Sequence, residues 1–276
     1  MKKLLFAILF FFSLNIHALA LEEIKACYNF LKAGDYERAI RMGEIAVKKY
    51  PSNADAHYCL GKAYFATGEL ILALESLKQA ERLTQDKGFL MLIYGMIGQV
   101  FTAIGNLDDA LLYYFRALNL AKELGDKEGE AGLLNDIGLI YHYKGDYDKA
   151  LRYYEESLSL QKDEKKKAIT YNNIATLYAY KGENEKALEY FFKALDIHER
   201  YGDYHHTAKA LLNIGATYRK VKDYEKAEQY LFEGLSRIRK VGDKYWEGGG
   251  LLFIGLLYKD LGDRQKAIEY LTSAYN

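Results

Sequence analysis

One short segment recurs seven times along this chain of 276 residues, always ending in alanine. Clear copies run from Gly34 to Ala39 (GDYERA) and from Gly145 to Ala150 (GDYDKA). A period of this kind is typical of solenoids, in which helical hairpins that cannot fold alone stack on their neighbours. The repeat therefore predicts an all-α solenoid of seven stacked helical hairpins. The final alanines lie 34 to 40 residues apart, at Ala39, Ala73, Ala110, Ala150, Ala187, Ala227 and Ala267.

A helical stripe of apolar and small residues precedes each copy. In the fourth repeat it consists of Leu134, Ile137, Gly138 and Tyr141, whose i, i+3, i+4, i+7 spacing places them on one face of a helix. A glycine then suits the left-handed position that ends a helix, and the aspartate after it can cap the next helix. The small residues let the two helices of a hairpin approach closely. No alternation of period two appears, so no strand is predicted.

The first twenty residues differ from the rest of the chain. Two lysines precede an apolar run, and Ala18-Leu19-Ala20 supplies a small-x-small pattern. This order is typical of a secretory signal peptide cleaved before Leu21, and the run is shorter than the about 20 residues of a membrane span. An uncleaved anchor is the alternative. We therefore predict a signal peptide at residues 1–20, a repeat array at 21–276, export to the periplasm or the medium, and no transmembrane span after signal removal.

The chain has two cysteines, Cys27 and Cys59, on the first helices of neighbouring repeats. Export to an oxidising compartment would permit a disulfide between them. Each cysteine also falls in a small or buried position of its helix. The sequence favours two buried free thiols, with a disulfide as the alternative.

Sequence signatures of catalysis are absent. The chain has no phosphate-binding loop, no Gly-x-Ser-x-Gly turn and no His-Glu-x-x-His pair. The adjacent His205 and His206 point apart on a helix, with no cysteine or third histidine beside them, so no metal is predicted. The net charge is zero and no basic block stands out, which argues against nucleic acid as a partner. We expect no enzyme activity and no cofactor.

The repeats resemble the tetratricopeptide repeat family over residues 21–276. The likeness rests on the small residue of the first helix, the aromatic residue three positions later, the Gly-Asp-Tyr turn and the alanine after it. The long period, with linkers such as Gly202-Asp203 and strings such as Asn172-Asn173-Ile174-Ala175, is similar to that of kinesin light chains and bacterial peptide-sensing regulators. The resemblance implies a right-handed superhelix whose first helices line a concave groove that holds peptides.

The groove positions that the resemblance implies lie on the first helices of the fourth, fifth and sixth repeats. Asparagine amides can both donate and accept hydrogen bonds, which suits a peptide backbone. Cations at one end favour an acidic or carboxylate-bearing partner. The alternative is that these side chains form a solvated polar surface. The predicted groove residues are Asn135, Tyr143, Asn172, Asn173, Tyr180, Lys209, Asn213, Arg219 and Lys220.

These features together predict a non-enzymatic adaptor that binds a peptide or protein segment. A ligand-sensing regulatory module and a structural oligomer scaffold are the alternatives. The scaffold hypothesis rests on the last repeat, because such arrays usually end in a polar capping helix and none follows here. Leu271, Ala274 and Tyr275 would then present apolar surface for self-association through this end.

Overall fold

The computed structural model describes residues 22–275, and the predicted signal peptide lies outside them. Every regular element within residues 22–275 is a helix, which confirms the all-α prediction. We number the helices in chain order, beginning with α1 at residues 22–33. The others are α2 (Tyr36–Lys49), α3 (Ala54–Thr67), α4 (Leu70–Leu83), α5 (Lys87–Ile104), α6 (Leu107–Leu124), α7 (Lys127–Tyr143), α8 (Tyr147–Leu160), α9 (Glu164–Lys181), α10 (Asn184–Arg200), α11 (Tyr204–Lys220), α12 (Tyr224–Val241), α13 (Lys244–Asp260) and α14 (Arg264–Tyr275).

The chain divides into two compact units, with the boundary along the sequence inside α7. Unit 1 extends to Ile140 and unit 2 begins at Tyr141. In unit 1, α3 packs on α4 and α5 packs on α6. In unit 2, α9 packs on α10, α11 on α12, and α13 on α14. Each pair also contacts the next pair of its unit, so both units are stacks of helical hairpins.

The turns inside the hairpins have the predicted chemistry. Gly145 adopts a φ of +76°, which is left-handed backbone that glycine tolerates best. The Asp146 side chain then accepts a hydrogen bond from the backbone N–H of Lys149 at 3.2 Å and caps α8. In the sixth repeat Lys222 replaces the glycine and still has a φ of +64°. The backbone geometry of the turn is therefore kept even where the glycine is lost.

Stacked aromatic pairs fill the hairpins of unit 2. The rings of Tyr218 and Tyr230 lie 5.5 Å apart with their planes 12° from parallel. The ammonium of Lys226, in the first turn of α12, lies 5.1 Å from the centre of the Tyr218 ring. Such cation–π contacts stabilise by about 0.5–1 kcal/mol at exposed sites. Each ring of such a pair comes from a different helix of one hairpin, so the repeat tyrosines pack the two helices together. The other stacked tyrosine pairs of unit 2 are Tyr141–Tyr153, Tyr178–Tyr190 and Tyr258–Tyr270.

Cys27 of α1 and Cys59 of α3 form a disulfide bond, and both are fully buried. The expectation of two buried free thiols is therefore wrong, although the cysteines are buried. The side-by-side packing of α1 and α3 brings the two Cα atoms to 6.4 Å, a separation that a disulfide can span.

Helix α5 is long and apolar enough to cross a membrane, judged by length and composition alone, and is the one such helix within residues 22–275. A core helix of a soluble protein has the same properties. Here α5 packs on α4 and α6 and buries Ile93, Ile97 and Val100. The absence of a transmembrane span after signal removal stays a prediction.

Candidate functional site

The first helices of three hairpins lie side by side in unit 2. Helix α11 contacts α9 on one side and α13 on the other. Their core residues, such as Ile174, Ile214 and Ile254, are fully buried against the second helices. The residues between these core positions stay partly or fully exposed. We call this surface the first-helix face; it comprises Asn172, Asn173, Tyr180, Lys209, Asn213, Lys220 and Trp246.

Two asparagines meet in the middle of the first-helix face. The side-chain N–H of Asn213 donates to the side-chain oxygen of Asn172 at 3.5 Å, across the space between α11 and α9. Asn173 lies beside Asn172 on α9, and all three asparagines are partly exposed. A bond of 3.5 Å is at the long limit for a hydrogen bond, so exchanging it for another partner costs little. The side-chain amides of Asn172 and Asn213 can therefore serve as donors and acceptors for a bound molecule.

Aromatic rings and a lysine lie at the carboxyl-terminal ends of the first helices. The Lys220 ammonium donates to the backbone oxygen of Ala179 at 2.9 Å and lies 5.9 Å from the centre of the Tyr180 ring. On its other side Tyr180 meets the His142 ring edge-on at 5.2 Å. The Tyr180 side chain is 66% exposed, so this ring offers a broad apolar contact to solvent.

Charge and burial shift the pKa values of groups at this end. Burial lowers the pKa of Lys220, and the neighbouring Arg219 charge lowers it further. Burial also raises the pKa of Tyr143, with added effects of charge on Tyr245 and Tyr180. Tyr143 is 59% exposed and belongs to the predicted groove residues. The raised pKa keeps the Tyr143 hydroxyl neutral near pH 7, where it can donate a hydrogen bond.

At the amino-terminal end of α11, Lys209 lies against Trp246. The ammonium is 5.1 Å from the centre of the indole ring. Burial lowers the pKa of Lys209, while the carboxylates of Asp243 and Asp203 oppose that effect. The backbone N–H of Trp246 donates to Asp243, which fixes the start of α13 and the position of the ring. The charge of Lys209 is therefore balanced by carboxylates nearby.

Arg219 belongs to the predicted groove residues but is engaged elsewhere. Its guanidinium lies 2.6 Å from an oxygen of Asp260 on α13, and its side chain is only 19% exposed. This ion pair neutralises one of the cations on which the expected preference for acidic partners depended. Lys220, at the next position, remains exposed.

In unit 1, Asn135 lies partly exposed on α7. Asp136 follows it, and sequence reasoning overlooked this residue. Burial raises the pKa of Asp136 to about 7, and the hydrogen bond with Asn135 opposes the shift. The signal that could have found Asp136 is its repeat position. It directly precedes the core residue Ile137, as Asn173 precedes Ile174 and Asn213 precedes Ile214. A carboxyl that titrates near neutrality can donate or accept a hydrogen bond, as an amide does.

Family comparison agrees with this geometry. Models described as tetratricopeptide repeat match residues 27–87, 89–163, 166–240 and 250–276. Among curated proteins, the chain is 28% identical over 173 residues to the regulatory protein RapG of Bacillus subtilis (strain 168), which is 56% of this chain and 47% of RapG. It is 29% identical over 124 residues to the photosystem I assembly protein Ycf3 of Rippkaea orientalis, covering 43% of this chain and 68% of that protein. The chain thus matches about half the length of RapG.

Solved structures give the same fold. The apo form of RapI aligns with a TM-score of 0.77 at 14% identity, covering 93% of this chain and 96% of that one. A Rap protein in complex with competence and sporulation factor gives 0.71 at 16% identity, covering 94% and 87%. BtubC of P. vanneervenii gives 0.61 at 21% identity, covering 79% and 93%. At these identities the likeness shows the fold alone.

Proposed function

The chain belongs to the tetratricopeptide repeat family, and on that premise we propose that it is a non-enzymatic adaptor that binds an extended peptide segment on the first-helix face. The observation that carries the proposal is the contact between Asn172 and Asn213 on neighbouring first helices. An extended peptide has a backbone donor and an acceptor at every residue. Amide side chains can pair with either group whatever the peptide sequence, so they suit a partner recognised mainly through its backbone.

The surroundings of the amides suit the side chains of such a peptide. Tyr180 and Trp246 add aromatic rings to the same face, each next to a lysine ammonium. Lys220 is exposed beside Tyr180, whereas Arg219 is paired with Asp260. An acidic residue of the peptide would therefore bind near Lys220. This contact is expected to weaken with salt, because exposed charges are screened beyond about 8–10 Å at physiological ionic strength.

Replacing Asn172 and Asn213 together by alanine is expected to weaken peptide binding about thirtyfold. Each lost hydrogen bond contributes about 1 kcal/mol, and about 2 kcal/mol corresponds to that factor. Peptides selected on the wild-type protein from a random phage-displayed library serve as probes, and fluorescence anisotropy gives their dissociation constants. The side chains are partly exposed, so the helical circular dichroism should not change.

Matched controls separate this face from the rest of the surface. Gln229→Ala with Gln265→Ala removes two exposed amides from second helices and should leave peptide affinity unchanged. A photo-crosslinking residue at position 180 should capture cellular protein, whereas one at Ile268 of α14 should not; the native side chains are 66% and 65% exposed. Equal peptide affinity in the wild type and the asparagine variant, or equal capture at both positions, would reject the site.

We also propose that the protein is exported and works in an oxidising compartment. The predicted signal peptide at residues 1–20 and the disulfide between Cys27 and Cys59 support this, because disulfides persist mainly outside the reducing cytosol. Mass spectrometry of the protein from fractionated cells tests it. We expect a chain that begins at Leu21 in the exported fraction, and a chain that keeps Met1 in the cytosol would contradict the proposal.

A ligand-sensing role is the second candidate. It is favoured by the similarity to RapG and to the Rap conjugation gene regulator of plasmid pLS20, whose structure was solved in complex with the Phr* peptide. In this role the peptide on the first-helix face would be a signal, and a further protein would respond to it. Both candidates share the same binding site, so the asparagine variant is expected to impair either one.

A further inference from the structure

Three side chains that can bind metals converge at the junction of α10 and α11. His198 lies near the end of α10, Asp203 is the N-cap of α11, and His206 lies in the first turn of α11. The Nδ1 atom of His206 is 2.8 Å from Oδ2 of Asp203, and the Nδ1 atom of His198 is 3.7 Å from the same oxygen. Ligand atoms of the three residues lie within 4.8 Å of one another.

The local fold fixes this arrangement. The left-handed Gly202 reverses the chain between the helices, so α11 starts beside the last turn of α10. The imidazole rings of His198 and His206 stack with centres 5.0 Å apart. His198 is only 4% exposed, whereas Asp203 and His206 are partly exposed. One ligand is therefore held in the protein interior, and the other two lie where an ion from solvent can reach them.

Capping of α11 occupies only one oxygen of Asp203. Oδ1 accepts the backbone N–H of His206 at 3.1 Å, and Oδ2 faces the two imidazoles, where it is hydrogen-bonded to Nδ1 of His206 at 2.8 Å. The corresponding positions of α5 and α13 carry Phe89 and Trp246, whose side chains are not metal ligands. A helix cap therefore does not require a histidine at this position, nor a second histidine stacked on it. Both features fit an ion coordinated by the edge nitrogens of the two rings and by Oδ2 of Asp203.

We propose that His198, Asp203 and His206 form a binding site for a divalent transition-metal ion of the Zn²⁺ class. Zinc is bound by imidazole nitrogen and carboxylate oxygen at about 2.0–2.2 Å, which in tetrahedral geometry places neighbouring ligand atoms about 3.3 Å apart. The two separations from Oδ2 of Asp203, 2.8 and 3.7 Å, lie on either side of that value, and the two imidazole nitrogens lie within 4.8 Å of each other. Three protein ligands leave the fourth position to water or to a side chain of a partner.

The ion would join two hairpins of unit 2. His198 belongs to the fifth repeat, and Asp203 and His206 belong to the sixth. Lys209, on the first-helix face, follows His206 by less than one turn of α11. Binding of the ion would therefore hold fixed the helix that carries Asn213 and Lys209, although the site itself does not depend on peptide binding.

The site is tested on the untagged full-length protein. Bound metal is first removed with a chelator, and Zn²⁺ is then titrated in while calorimetry measures the heat of binding. The wild type is expected to bind one ion per chain, and Asp203→Asn and His206→Gln should each weaken binding at least about tenfold. Asparagine caps helices as well as aspartate does, so the first variant keeps α11 intact. His205→Gln is the matched control, because His205 bonds Asp243 at 2.7 Å and lies outside the cluster.

A second readout uses Co²⁺, whose visible absorption reports its coordination. The wild type and His205→Gln should give the same intense tetrahedral-type spectrum, which Asp203→Asn and His206→Gln should lose. Unchanged Zn²⁺ affinity in both of these variants, or no saturable binding of one ion per wild-type chain, would overturn the proposal. Circular dichroism of each variant confirms that the helices remain folded.

Discussion

Replacing Cys27 and Cys59 together by alanine is expected to lower the free energy of unfolding of the first two hairpins by about 3 kcal/mol. The bond links residues 32 positions apart, and closing a loop of that length in the unfolded chain accounts for about 3–4 kcal/mol in the chain-entropy model. Both side chains are fully buried, and alanine introduces neither a polar group nor a larger side chain there. Repeats contact mainly their neighbours, so the loss should be concentrated in α1 to α4.

Hydrogen exchange followed by mass spectrometry measures this effect segment by segment. Amides of α1 to α4 should exchange faster in the variant, while amides of α11 and α12 should keep their wild-type rates. Reduction supplies the control within one protein: a thiol reductant should destabilise the wild type and leave the alanine variant unchanged. If fully reduced wild type kept the oxidised protein's exchange rates, the bond would contribute nothing to stability.

The disulfide marks the limit of what the repeat pattern predicts. The stripe and the turns place both cysteines on buried faces of first helices, and that part is confirmed. Whether two sulfurs in neighbouring repeats meet depends on how far α1 is rotated and shifted against α3, which the period does not specify. The 6.4 Å between the Cα atoms results from that packing. A pattern read along one helix therefore predicts burial more reliably than it predicts a partner.

The candidate site shows the same division. Asn172 and Asn213 were found by their register on the first helices, and the structure brings them together. Arg219 occupies an equally suitable register, but its partner Asp260 lies 41 residues away on α13. No local rule connects such a pair, because only the stacking of hairpins brings the two residues into contact.

The junction between α10 and α11 was missed for a related reason. The sequence drew attention to His205 and His206, which are adjacent but bond different aspartates. His198 lies eight residues before His206, and the left-handed turn at Gly202 between them reverses the chain. The reversal brings their rings to 5.0 Å. Comparing side chains across each Gly-Asp linker would have revealed the contact.

The same change from glycine to alanine is expected to lower the free energy of unfolding at Gly215 and to raise it at Gly249. A methyl group at Gly215 of α11 would lie 2.7 Å from Cγ of Leu231 and 2.9 Å from its backbone nitrogen. Because α12 cannot yield its backbone there, the hairpin must open, and overpacking of this kind costs about 1–3 kcal/mol. A methyl group at Gly249 of α13 meets no atom within 4 Å. Alanine there should stabilise the helix by about 0.5–1 kcal/mol.

Urea unfolding followed by circular dichroism measures both variants against the wild type. The comparison isolates packing, because both glycines lie inside first helices and the gain in helix propensity is the same. The difference between the two free energies of unfolding should therefore equal the packing cost, about 1–3 kcal/mol. Hydrogen exchange should place the loss in Gly215→Ala at α11 and α12. If both variants were stabilised alike, the close approach of α11 and α12 at Gly215 would not hold in solution, and the packing that positions Asn213 on the first-helix face would be wrong.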